Sequence, residues 1–261
     1  MSKSVLWITG ASSGIGEAVA KKYAKEGHRL ILSARNIQEL ERVQRACANQ
    51  ENVRVLALDL TQSETFTDKV ATAISFFGQV DALLHNGGIS QRSLIKETSL
   101  AVDRKLMEVN YFGTVALTKA VLPHFIERKK GHFGVVTSLV GKFASPYRSS
   151  YAGAKHALHG FFDTLRAEHY ADGIKVTLIC PGFIRTQVSI NAVTGDGSPL
   201  GQMDQAQNQG MSPEACAEQL FRAMQKQKEE VYIGGKETLA VYLKRFFPGL
   251  FSRILRTAKV R

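Results

Sequence analysis

Twice in this chain a tyrosine stands four residues ahead of a lysine: Tyr151 and Lys155 in "YAGAK", and Tyr232 and Lys236 in "YIGGK". On a helix that spacing stacks the phenol and the ammonium on one face, a turn apart. A phenol titrating near 10 can pass a proton at neutral pH only with help from a nearby cation. The same pair on an ordinary surface is only a contact, so the surroundings must choose between them. Gly234 and Gly235 lie inside the second pair and disfavour a helix, which removes the stacking, and that pair is expected past the last strand of the core. Tyr151 sits on a predicted helix, thirteen residues after Ser138, which ends the strand-like run "FGVVTS". The first pair is the chemical candidate.

A second motif suggests what the proton transfer would accompany. "TGASSGIG" (9–16) falls where a first strand hands over to a first helix. Gly10 permits a tight turn, Gly14 lets backbone N–H groups approach a pyrophosphate, and Gly16 allows close helix packing. The spacing is G-x-x-x-G-x-G, and with Ser12 and Ser13 it points to a dinucleotide rather than to a structural turn. At the end of the second strand the chain reads "LSARN". Ala34 leaves that position without the carboxylate that would bond a ribose 2′-hydroxyl, and Arg35 suits a 2′-phosphate, so NADP(H) is preferred and NAD(H) stays open.

The elements that must position these groups follow a regular rhythm. Strand-like runs "VLWIT", "LILS", "VRVLAL", "VDALL", "FGVVTS" and "IKVTLIC" alternate with apolar residues at helical intervals. One long helical pattern runs from Leu100 to about Arg128 and a second occupies about 150–170. Such alternation implies an α/β single-domain Rossmann fold, a doubly wound parallel sheet of about seven strands flanked by helices, with ligands at the carboxyl ends of the strands. Two segments break the rhythm. Residues 187–211 are polar, rich in Gly and Gln and aperiodic, as in a lid or a disordered stretch. Ser212 and Pro213 then open another helix as N-cap and first-turn residues. Last comes a basic amphipathic segment, 236–261.

Bulk properties bound the alternatives. With 261 residues and 44% hydrophobic side chains there is material for a substantial core. No run approaches the roughly 20 apolar residues of a spanning helix, and "MSKSVLWITG" leaves no room for a signal peptide. Cys47, Cys180 and Cys216 have neither metal-ligand spacing nor the pattern of a disulfide framework, which suits a reducing, cytoplasmic compartment. The net charge of +11 owes much to Lys244, Arg245, Arg253, Arg256, Lys259 and Arg261, a stretch without an acidic residue. No nucleic-acid motif accompanies it.

Taken together, "TGASSGIG", Asn110, Ser138 and "YAGAK" resemble the classical short-chain dehydrogenase/reductase family over essentially residues 4–235. Within it the motifs, Arg35 and the tail "LKRFFPGLFSRILR" look most like the dehydrogenase/reductase member 7 type. The resemblance implies that Tyr151 is the general acid/base, that Lys155 lowers its pKa and holds the nicotinamide ribose, and that Ser138 bonds the substrate oxygen. It implies that Asn110 positions a water linking Lys155 to solvent. It also implies cofactor contacts from the glycine loop including Ile15, from Asp59 and Leu60 at the adenine, and from Asn86, Pro181 and Gly182. Ile184 and Thr186 match positions at the carboxamide and phosphates. The family's usual "NNAG" is "HNGG" here, with His85 and Gly88 replacing an asparagine and an alanine. That change bears on bracing of the sheet more than on catalysis, and His85 is read as a packed or hydrogen-bonded histidine.

The expected function is therefore NADP(H)-dependent hydride transfer between the cofactor and a small-molecule carbonyl or secondary alcohol. The rival is a catalytically silent cofactor sensor or scaffold of the same fold. The tail suits either an anionic membrane surface, through 243–261, or packing on the protein. A homodimer or homotetramer is expected through the two long helices, with Leu106, Val109, Phe112, Leu117, Leu158, Phe161, Phe162 and Leu165 as candidates. The substrate pocket would lie between 187–211, "VGKFASPYR" with Phe143, Tyr147 and Arg148, and "GISQRS".

Overall fold

Val5–Thr9 (β1) is buried at every position, and its side chains divide between two cores, Val5 and Trp7 in one, Leu6 and Ile8 in the other. A parallel strand covered on both faces requires this. The computed structural model, which describes residues 3–258, adds six further strands to this one, joined by helices. In chain order come Gly14–Lys25 (α1), Arg29–Ala34 (β2), Ile37–Arg45 (α2), Val53–Ala57 (β3), Phe66–Phe77 (α3) and Ala82–His85 (β4). Leu100–Met107 (α4), Gly113–Glu127 (α5), Gly131–Val136 (β5), Ser149–Glu168 (α6) and Ile174–Pro181 (β6) follow. The chain continues through Gln205–Asn208 (α7), Pro213–Gln225 (α8), Glu230–Ile233 (β7), Leu239–Phe246 (α9) and Pro248–Thr257 (α10).

The strands form one parallel sheet in the order β3-β2-β1-β4-β5-β6-β7. Helices α1, α2 and α8 cover one face, through residues such as Val19, Leu40 and Leu220. The other face is covered by α3, α5 and α6, with Phe66, Phe125 and Phe162. The winding reverses between β1 and β4, so a crevice opens there at the carboxyl edge. Local chemistry sets the helix ends. The Asn36 and Ser212 side chains accept from Glu39 N at 3.2 Å and Ala215 N at 3.2 Å, and Gly78 stops α3 in the left-handed region at φ 77°.

Four expectations need correction or completion. The helical pattern from Leu100 to Arg128 is interrupted at Glu108–Phe112 by a widened π turn, the kind of bulge that re-aims side chains in a helix. Tyr232 does not lie past the last strand; it is in β7, an edge strand whose flanking glycines and charges masked its periodicity. Residues 187–211 are packed rather than structureless. Ser189, Ala192 and Val193 are buried there, and Val193 exchanges backbone hydrogen bonds with Ser90 and Arg92 at 2.9 Å each. Among the candidate interface residues, Leu106, Leu117, Leu158, Phe162 and Leu165 belong to the molecule's own cores, whereas Phe112 is 52% exposed.

The tail packs on the protein along one face. Val241 and Phe251 are buried, and the Phe251 ring meets Phe143 edge-on with centroids 5.3 Å apart. Lys259 and Arg261 lie outside the described residues. Among the described residues no helix is long and apolar enough to cross a membrane, and all three cysteines are buried and free.

Phe133 on β5 is fully buried, with ring centroids 4.9 Å from Phe125 and 6.2 Å from Phe162. Phe133→Ala is expected to cost about 3–5 kcal/mol in urea unfolding. A loss below about 1 kcal/mol would contradict this packing.

Candidate active site

The carboxyl ends of β1, β2, β4, β5 and β6 meet along a continuous cleft of ≈ 1510 Å³. At its β1 end the chain turns through Gly10 and Gly14, at φ 62° and 56°. A Cβ on Gly10 would stand 2.7 Å from the Gly87 Cα, so the loops after β1 and β4 can touch only through glycine. Asn86 ties them, donating from Nδ2 to the Gly10 carbonyl at 2.9 Å, while Thr9 Oγ1 accepts from Asn86 N and Gly87 N at 3.1 Å each. Ser13, in extended conformation, precedes α1 without capping it, so its hydroxyl and the first N–H groups of the helix remain available to a phosphate. From behind, Arg42 bonds the Ser12 carbonyl at 3.1 Å and Glu17 at 2.8 Å. Hydrogen bonding from Arg42 holds the Glu17 carboxyl down at about 2. This brace escaped sequence reasoning, because Glu17 and Arg42 stand 25 positions apart on different helices and neither marks the other as its partner.

Of the cofactor-site candidates, Gly10, Ser12, Ser13, Gly14, Ile15, Arg35, Asp59, Leu60, Asn86, Tyr151, Lys155, Pro181, Gly182, Ile184 and Thr186 all line the cleft. Gly16 does not, and packs instead against the Gly10 carbonyl. Arg35 is exposed at the β2 end, and Asp59 Oδ1 accepts from Thr61 N at 2.9 Å. These residues fit a dinucleotide: glycines where a Cβ would fill the cradle, a helix N-terminus for phosphates, and a cation without a competing carboxylate at Ala34.

At the β5 end, Val136 leads through Thr137 to Ser138. Helix α6 brings Tyr151 and Lys155 to the same place. The buried Lys155 Nζ donates to the Val136 carbonyl at 2.8 Å and lies 5.7 Å from the centre of the Tyr151 ring. Burial pulls its pKa down to about 8. The half-buried Tyr151 hydrogen-bonds Ser138, whose Oγ also reaches the Pro181 carbonyl at 3.4 Å. Asn110 stands in the middle of the π turn, behind the cleft. Its Oδ1 accepts from Ile89 N at 2.8 Å and its Nδ2 donates to Ile89 O at 2.9 Å, fixing the loop after β4. Its Oδ1 and the Lys155 Nζ lie 2.8 and 3.8 Å from where a Gly88 Cβ would stand. Gly88 therefore keeps Asn110 and Lys155 close. His85 accepts or donates to Thr118 Oγ1 at 2.8 Å, and burial lowers its pKa to about 3, so it is a neutral packed histidine.

The sequence reading assigned the cation beside the phenol to Lys155 alone. In the structure burial raises the Tyr151 pKa, and the positive charges opposing that rise are Arg92 and Arg148. Arg92 Nε and Arg148 Nη2 share Asp204 Oδ2 at 2.6 and 3.2 Å, and all three residues are buried. Asp204 comes from the 187–211 segment, so this ion cluster ties that segment to the start of α6. Arg92 and Asp204 were not singled out, since a charge in a polar loop carries no sign of its burial. Tyr147 does not line the cleft; its backbone is left-handed at φ 66° and its carbonyl accepts from Ser93 N at 3.2 Å. The opposite surprise is the tail, which supplies Ala240, Phe251, Ile254, Leu255 and Ala258 to the cleft wall.

An arrangement of this kind defines a class of protein. The sequence matches the short chain dehydrogenase family model across residues 4–196, and the chain belongs to that family of oxidoreductases. Among individual relatives it is similar to dehydrogenase/reductase SDR family member 7B of Mus musculus, 43% identical over 258 residues, covering 97% of this chain and 80% of the relative. Among solved structures it resembles a short-chain dehydrogenase from Streptomyces avermitilis, with TM-score 0.82 and 26% identity over 98% of this chain and 96% of the other. An alcohol dehydrogenase from Thermococcus sibiricus, complexed with 5-hydroxy-NADP, superposes with TM-score 0.76 at 28% identity, covering 90% and 97% of the two chains.

The buried Lys155 gives the site a signature in stability. Its folded pKa, about 8, is below the ordinary 10.5, so the unfolded chain binds the extra proton between those values and stability rises with pH there. Relative to Lys155→Met, the wild-type protein is expected to gain about 2 kcal/mol between about pH 7.5 and 10, read from urea midpoints without cofactor. Parallel pH curves for the two proteins would contradict the burial of a titrating ammonium.

Proposed function

We propose that the protein is an NADP(H)-dependent oxidoreductase acting on a carbonyl or secondary alcohol, with Tyr151 as general acid and base. The observation that carries this reading is the meeting of the Tyr151 phenol and the Ser138 hydroxyl in the same cleft that begins at the glycine loop. The bound cofactor would supply or accept the hydride. Ser13 and the α1 N-terminus would hold its pyrophosphate, Arg35 its 2′-phosphate, Asp59 and Leu60 its adenine, and Lys155 its ribose. Asn86, Pro181, Gly182, Ile184 and Thr186 would complete its walls. The Thermococcus relative, with its NADP derivative, supports the same choice of cofactor.

In reduction, Tyr151 gives its proton to the substrate oxygen while Ser138 donates a hydrogen bond to that oxygen. In oxidation the phenolate takes the proton back. The raised pKa of Tyr151 in the cofactor-free protein keeps the phenol protonated at neutral pH, ready as an acid, and Arg92 and Arg148 limit that rise. Asn110 would position a water that links Lys155 to bulk solvent. The 187–211 segment acts as the lid over the substrate, latched through Asp204. An apolar wall of Phe143, Phe251, Ile254 and Leu255 makes room for an apolar group on the substrate. The free, buried cysteines suit a reducing, cytoplasmic compartment, and Phe112, exposed in the π turn between α4 and α5, suits a homodimer or homotetramer contact.

Ligand binding to the folded state raises the melting temperature by mass action. NADPH is expected to stabilise the protein more than NADH at equal concentration, and Arg35→Ala to remove most of that advantage while leaving the NADH response unchanged. Equal responses of the wild-type protein to the two cofactors would sink the Arg35 assignment, and silence from both would sink the dinucleotide site.

A further inference from the structure

The last two helices have two apolar faces, and only one is covered. Val241 and Phe251 are buried in the domain. Facing outward, Leu239, Tyr242, Phe246, Phe247 and Leu250 are 64%, 52%, 69%, 62% and 51% exposed. They make five of the twelve exposed large apolar side chains among the described residues, gathered within 239–250 rather than scattered. Leu239, Tyr242 and Phe246 recur at helical spacing, and with Phe247 they line one shallow depression beside Lys236. Helices α9 and α10 pack on each other, so the stripe is shared by the two helices. Lys244, Arg245, Arg253 and Arg256 are exposed on the same pair, and no acidic residue occurs from Thr238 to Ala258.

We propose that this outward face docks on an anionic lipid surface, with Tyr242, Phe246 and Phe247 at the headgroup–acyl boundary and the four cations among the lipid phosphates. Aromatic side chains flanked by Lys and Arg match both layers of such a surface at once. A second copy of the chain matches it poorly. A two-fold contact sets a patch against itself, which would bring these cations against their equivalents with no acid between them. The covered face of the same helices walls the cleft, so docking would leave the cleft beside the bilayer. The docking itself does not depend on the redox reading, and its test needs no turnover.

The full chain is sedimented with vesicles of phosphatidylcholine alone and of phosphatidylcholine with phosphatidylglycerol, at low and high salt. Binding is expected to the anionic vesicles and to weaken with salt. Arg253→Gln with Arg256→Gln is expected to reduce it roughly 30-fold, at about 1 kcal/mol for each basic residue removed. Phe246→Ser with Phe247→Ser is expected to abolish it, with the melting temperature of these surface variants unchanged. Absence of binding, binding indifferent to lipid charge, or binding undiminished in either variant would overturn the proposal. So would a solution dimer that Phe246→Ser with Phe247→Ser dissociates in a protein that ignores vesicles, because the face would then belong to a second copy.

Discussion

The hydrogen bond from the Lys155 ammonium to the Val136 carbonyl joins the helix that carries Tyr151 to the end of β5. A buried cation is costly to hold, and here burial lowers its pKa toward neutrality, so the surrounding chain must be arranged closely around it. That arrangement reaches outward. Gly88 makes room for Asn110 and Lys155 together, Asn110 clamps Ile89 from a widened helical turn, and the loop after β4 is thereby held against the loop after β1. The two ends of the cleft, the glycine loop after β1 and the Ser138–Tyr151 pair after β5, are thus set by a short chain of polar contacts.

Much of this could be read from residue types and spacing. The six principal strands, the helices between them and the parallel winding follow from apolar periodicity, because strands buried on both faces need apolar residues throughout. The glycine loop was legible because its spacing answers a backbone demand that other residues cannot meet. Tyr151 and Lys155 were legible because helical spacing predicts their approach, and Ser138 because the family resemblance assigns it to the same site. Gly234 and Gly235 likewise separate Tyr232 from Lys236: the tyrosine is on an edge strand and the lysine in the turn beyond it.

What stayed hidden depends on contacts between distant parts of the chain. Nothing in "GISQRS" marks Arg92 as buried, and nothing in "GQMDQAQ" marks Asp204 as its partner 112 positions away. The polar composition of 187–211 reads as a lid or as disorder, and in the structure its backbone is held by Ser90 and Arg92 and its one buried carboxylate by two arginines. The π turn at Asn110 shares the apolar pattern of a regular helix. β7 is too short and too mixed in polarity to stand out. The tail showed its amphipathic character but not which face met the protein; the burial of Val241 and the packing of Phe251 on Phe143 decide that.

The assignment of proton transfer to Tyr151, with other groups holding the cofactor, is the step on which the proposed reaction depends. Its most direct test is Tyr151→Phe, measured for NADPH binding and for cofactor-dependent turnover across a panel of carbonyl substrates on which the wild-type protein is active. The variant is expected to bind NADPH nearly as well as the wild-type protein and to lose turnover by at least about 100-fold, the usual contribution of a positioned acid. Turnover within a few-fold of the wild-type rate, with NADPH still bound, would contradict the assignment and place the proton donor elsewhere in the cleft.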